Sequence, residues 1–178
     1  MAQPLRILIV EDSESDAKLA EHELRRGGFD VQAQVVSTAA ELSAALGSTL
    51  WDVILCDHSL PTLDSAAALR IAKARQPDVP FIIVSGSLPE AAAAQAMLLG
   101  AQDYLSKDNL ARLVPAVKRE LADAAERRTL RLGAAESVKR TRLLPAERRI
   151  NWYADTAEGL DAIRDTVEFK TTWHPIGA

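Results

Sequence analysis

The chain has 178 residues, a formal net charge of −4, and 48% hydrophobic against 26% charged side chains. At roughly 100–200 residues per domain this is one full domain with a small appendage, and Leu, Ile, Val and Ala are plentiful enough to exclude a wholly disordered chain. No apolar run approaches the ~20 residues of a bilayer span, no secretory signal opens the chain, and one cysteine (Cys56) with three scattered histidines makes neither a disulfide nor a structural zinc site; a cytoplasmic location without membrane contact is expected.

Short apolar runs alternate with helical stretches. Leu5–Val10 is a near-continuous apolar run, the pattern of a strand covered on both faces. Ser13 with Asp16 three residues later is a capping-box-like start, and Ala17, Ala20 and Leu24 recur at helical spacing until Gly27-Gly28. Residues 31–36 read as a second strand and Thr38 to Leu46 as a second helix, ending at Gly47. Val53–Cys56 is a third strand with Asp57 at its end, followed by a helix from Asp64 to Arg75 that stops before Pro77. Phe81–Val84 is the fourth strand, running into Ser85-Gly86-Ser87. Pro89 and Glu90 suit the first turn of a fourth helix, which Gly100 closes. Residues 103–105 form a short fifth strand, and a fifth helix starts near Pro115. Five strands, each followed by a helix, predict an α/β fold: a doubly wound parallel sheet with right-handed crossovers and helices on both faces.

In such sheets function gathers in the crevice at the carboxyl ends of the strands. Those ends carry Glu11-Asp12, Asp57, Ser85 and Lys107. Three carboxylates in one crevice raise each other's pKa values unless a cation neutralises them, and Mg2+ takes oxygen ligands from carboxylates, water and phosphate. A lysine and a hydroxyl beside the ion would complete a phosphoryl site. A carboxylate pair after a first strand is often only helix N-terminal charge, and a lone lysine is often only solvated, but four of five strand ends carrying complementary groups is a stronger pattern. A flavodoxin-like small-molecule binder is disfavoured, because the first loop is Glu-Asp-Ser-Glu and not a glycine-rich phosphate cradle.

Ile9-Val-Glu-Asp12, Cys56-Asp57 with Pro61 and Asp64 beyond, Val84-Ser-Gly86 and Tyr104-Leu-Ser-Lys107 make residues 4–128 resemble the receiver domain of two-component response regulators. The resemblance implies a flavodoxin-like sheet of strand order 2-1-3-4-5, an arrangement for which a receiver protein is a known example. It implies Asp57 as phosphoacceptor from the phosphohistidine of a cognate sensor histidine kinase, so that the chain is a regulator that promotes its own phosphorylation and dephosphorylation without an enzymatic output. Asp12 and Asp57 would be direct Mg2+ ligands, the Ser59 carbonyl a third, and Glu11 a ligand through water. Ser85 would be the switch hydroxyl, Lys107 the partner of Asp57 or its phosphoryl group, and Tyr104 the switch aromatic. Two positions depart from the family pattern. Ser65 replaces the usual glycine, so a differently shaped turn is expected there, and Asp108 replaces the common proline, so a cis peptide is not assumed. His58 and Ser59 flank the acceptor where the family varies. An alternative is a phosphate shuttle or sink that passes the group to a histidine phosphotransfer protein.

Charge is uneven beyond the fourth helix. Residues 119–149 carry 9 basic and 5 acidic side chains, and residues 150–178 carry 2 and 5. Residues 107–128 are similar to receivers that precede a sensor domain, and residues 129–178 read as a C-terminal extension, too short for a conventional winged-helix output domain. A solvated charged helix is the commoner outcome for the basic stretch, and nucleic acid is not an expected partner. In the tail, Asp155 and Glu158 suggest a short helix, and Val167, Phe169, Thr171 and Trp173 alternate with polar residues as in a half-buried strand. One such strand is not stable alone. A frayed terminus is one reading of it; the favoured one is a homodimer, supported through this extension or through the face of the fourth and fifth helices.

Overall fold

The computed structural model describes residues 2–86 and 90–143. In chain order the elements are β1 (Gln3–Val10), α1 (Glu14–Arg26), β2 (Phe29–Val36), α2 (Ala39–Ser48), β3 (Val53–Cys56), α3 (Ser65–Arg75), β4 (Phe81–Ser85), α4 (Glu90–Leu98), β5 (Asp103–Ser106), a 3-10 stretch (Lys107–Arg112) and α5 (Leu113–Leu143). All strand pairs are parallel, in the order β2-β1-β3-β4-β5. The flavodoxin-like architecture expected from the sequence is therefore the one observed.

Successive side chains of a strand point to opposite faces, so each apolar run feeds two cores. Leu5, Ile7 and Ile9 of β1 meet Ala17, Ala20 and Leu24 of α1 and Leu113, Ala116 and Val117 of α5. Leu8 and Val10 meet Leu42 and Leu46 of α2, Leu69 and Ala72 of α3 and Ala96 of α4. β3 and β4 are buried along their whole length, which is why their sequences read as unbroken apolar runs. The α1–α5 contact is close. A Cβ built on Gly27 would lie 2.4 Å from a Val114 methyl carbon, so only glycine fits there.

Several boundaries differ from expectation. β2 begins at Phe29, because β1 pairs it in full register from Gln3↔Phe29 onward. The helix read as ending at Gly47 continues to Ser48. α5 begins at Leu113, with Pro115 in its first turn, where no intrahelical N–H is needed. The complete capping box belongs to α2, through Thr38 and Glu41. At α1, Ser13 Oγ does accept the Asp16 N–H (3.3 Å), but the Ser13 N–H donates to Glu11 Oε1 (3.1 Å).

The chain divides into a compact unit, Met1–Thr129, and a second beginning at Leu130. Pro89 and the expected short helix and strand of the tail lie outside the described residues. Among those described, no helix is long and apolar enough to cross a membrane, and no peptide bond is cis.

Candidate functional site

The site is assembled by strand register. β1 and β3 are central neighbours paired Val10↔Cys56, so the next residues, Glu11 and Asp57, leave the sheet side by side. Two backbone bonds fix their departure: the Glu11 N–H donates to Val36 O (2.9 Å) and the Asp57 N–H to Val10 O (2.9 Å). The carboxylates of Glu11, Asp12 and Asp57 each offer an oxygen within 4.8 Å of the others. Glu11 and Asp57 are buried, at 6% and 8% exposure, whereas Asp12 faces solvent.

Lys107, first residue of the 3-10 stretch after β5, reaches across this cluster. Its Nζ lies 2.8 Å from Glu11 Oε2, 2.6 Å from Asp16 Oδ2 and 3.3 Å from Asp57 Oδ2. One ammonium thus serves three carboxylates, with Asp12 beside them. Burial pushes the Glu11 carboxyl above its ordinary value, against the Lys107 hydrogen bond and the Ser13 N–H, which act to lower it. The Lys107 bond holds Asp16 below its ordinary value. For Lys107 itself, burial alone would lower the pKa; the hydrogen bonds to Asp16 and Glu11 and the charges of Glu11 and Asp57 outweigh burial and raise it. The Cys56 thiol behind Asp57 is pushed well up, chiefly by burial, and is inert as a nucleophile.

Asp57 has one buried side-chain oxygen, Oδ1, with no hydrogen-bond partner among the described residues. A buried acceptor without a donor is costly, and a cation in the notch would relieve it. The donor set fits Mg2+: hard oxygens only, all within 4.8 Å of one another, where opposite ligands of an octahedral ion lie roughly 4.2 Å apart.

The other expected residues fall around this centre. Ser85 ends β4 and is fully buried, in register with Ser106 at the end of β5. Tyr104 is half-buried and packs against the core on the α2–α4 side of the sheet. Ser59 is exposed on the loop after Asp57. That loop is tied at two points: Thr62 Oγ1 donates to Ser37 O (3.0 Å), and His58 Nδ1 and Ser65 Oγ share a hydrogen bond of 2.8 Å. Ser65 is the buried first residue of α3, whose cap is Asp64, accepting the Ala67 N–H at 2.6 Å. No described non-glycine residue has positive φ, so the serine sits there without backbone strain.

Asp16 is the residue that sequence reasoning missed. Its spacing from Ser13 marks it only as part of a helix cap, although its place four residues after Asp12 puts it on the rim of the same notch.

A family model for the response regulator receiver domain matches residues 7–118. The chain belongs to this family. Over 121 residues the receiver is 29% identical to the transcriptional regulatory protein ZraR of Salmonella typhimurium, a match covering 67% of this chain and 27% of that protein. The chain thus spans about a quarter of the length of that relative. Among solved structures, a CheY-like receiver domain protein from Methanospirillum hungatei covers 71% of this chain and 99% of its own, with a TM-score of 0.61 and 24% identity; this likeness concerns the fold. The receiver domain of a sensor histidine kinase from Pseudomonas aeruginosa, solved with a magnesium ion coordinated in its active site cleft, covers 67% of this chain and 98% of its own, with a TM-score of 0.58 and 26% identity. The receiver is accordingly a module of two-component signalling.

Proposed function

We propose that this receiver accepts a phosphoryl group on Asp57 from the phosphohistidine of a cognate histidine kinase and uses it to switch protein–protein interactions. The observation that carries the proposal is the buried Asp57 carboxylate, clustered with those of Glu11 and Asp12, with Oδ2 3.3 Å from the Lys107 ammonium and Oδ1 without a partner among the described residues. In the transfer an Asp57 oxygen attacks phosphorus, the new P–O bond forms as the P–N bond breaks, and the leaving imidazole nitrogen keeps the electron pair. Mg2+ bound by Asp12 and Asp57, with the Ser59 carbonyl and Glu11 through water, would neutralise charge on the phosphoryl oxygens. Lys107 would pair with a phosphoryl oxygen, and Ser85, already at the end of β4, would supply the hydroxyl that responds to it. Tyr104, on the neighbouring strand β5, would follow Ser85. In this reading the receiver promotes its own phosphorylation and dephosphorylation.

The proposal includes a cytoplasmic location, beside the kinase's phosphorylated histidine, and a homodimer. Met97, Leu98 and Leu99, exposed at the end of α4, support a dimer over the face of α4 and α5; the alternative through the tail lies outside the described residues.

The test is incubation with Mg2+ and acetyl phosphate, read by intact mass. Wild type should gain one phosphoryl group, and Asp57→Asn none. Wild type should also gain none when the metal is chelated. Equal labelling of wild type and Asp57→Asn would refute the proposal.

A further inference from the structure

Lys107 is divided unequally among its three carboxylates. It donates hydrogen bonds to Asp16 (2.6 Å) and Glu11 (2.8 Å), while Asp57 stands off at 3.3 Å. The acceptor aspartate therefore has the weakest hold on the cation it would need after phosphorylation. Glu11, at 6% exposure, cannot lose that cation cheaply, whereas the Asp16 carboxylate, at 40%, can be taken over by water. The α1 cap itself is the bond from the Asp16 backbone N–H to Ser13 Oγ, and the Ser13 N–H is occupied by Glu11, so both survive replacement of the Asp16 carboxylate, which is one of two acidic groups in the first turn.

We propose that Asp16 is a positioning residue that holds the Lys107 ammonium away from Asp57 and so competes with the phosphoryl group for it. This rests on the acceptor role of Asp57 and adds a determinant of how strongly the phosphorylated state is favoured. A dianionic phosphoryl group on Asp57 draws Lys107 inward. The ammonium keeps its bond to Glu11 and exchanges Asp16 for a phosphoryl oxygen, leaving Asp16 to solvent. An exposed ion pair of this kind corresponds to a change of about threefold to fivefold in an equilibrium constant.

The test is the affinity for beryllofluoride, a tetrahedral phosphoryl analogue, at saturating Mg2+. It is measured by fluorine NMR on the full chain for wild type, Asp16→Asn, Lys107→Met and the double variant. Asp16→Asn should bind about threefold to fivefold tighter than wild type, and the gain should vanish in the Lys107→Met background. A gain that persists undiminished without Lys107 would mean that Asp16 acts through its field alone and would overturn the inference. So would an unchanged affinity of Asp16→Asn, including one accompanied by a lower melting temperature, which would show only a structural role. Wild type that binds Mg2+ but no beryllofluoride would overturn the acceptor reading itself, and this inference with it.

Discussion

Removing the ammonium that serves the acidic notch should destabilise the protein in a way that metal and acid both repair. In Lys107→Met, Glu11 and Asp57 remain at 6% and 8% exposure and lose the cationic partner they share, the one shown for them among the described residues. Deleting one member of a buried pair costs roughly 3–5 kcal/mol, but the notch is open on the side of the exposed Asp12, so about 2–3 kcal/mol is expected at neutral pH. For a domain of this size that is a fall in Tm of about 8–12 °C. The assay is thermal denaturation followed by circular dichroism, first with chelator and then with saturating Mg2+. The ion supplies the missing positive charge, so the gap between variant and wild type should narrow when it is added. The pH dependence has a definite sign. Burial raises the folded-state pKa of Glu11 above its ordinary 4.5, so charging it costs stability as pH rises from that value through the raised one. Without Lys107 the rise is larger, and the deficit of the variant should shrink as pH falls below it. A deficit of less than about 3 °C in chelator, or one indifferent to both Mg2+ and acid, would refute the reasoning.

Three further outcomes follow from the same geometry. Asp57→Asn removes a buried charge whose Oδ1 lacks a partner among the described residues, so its Tm in chelator should rise by a few degrees, roughly 1 kcal/mol, and the stabilisation by Mg2+ measured in the same melts should fall sharply. Gly27→Ala places a Cβ 2.4 Å from a Val114 methyl carbon and should cost about 1–3 kcal/mol in urea titration, most of it recovered in the Gly27→Ala, Val114→Ala double variant. Phe81→Ala, which empties a fully buried position at the start of β4, should cost about 3–5 kcal/mol in the same assay.

Much of this was legible in the sequence because the physics that writes it is local. Val53–Cys56 and Phe81–Val84 are apolar throughout because both faces of the sheet are covered, and such runs announce central parallel strands. Once the strands are placed, topology alone brings Glu11, Asp57, Ser85 and Lys107 to one rim. Other features depend on contacts between distant segments. Asp16 carries the spacing of a cap residue, and only the reach of Lys107 from 91 positions away shows where its carboxylate goes. The start of β2 at Phe29 is set by pairing with Gln3 and not by its own sequence. Ser65 was read as a departure that would reshape the turn after Asp64; its partner, His58, was noted separately, and only the fold joins the two.

The central claim is that one buried carboxylate at the end of β3 is the phosphoryl acceptor. Borohydride reduction of the phosphorylated chain, which converts an acyl phosphate to an alcohol at the modified side chain, followed by peptide mass mapping, locates that carboxylate directly. The account requires the reduced residue to be Asp57; reduction at Glu11, Asp12 or Asp16 instead would contradict it.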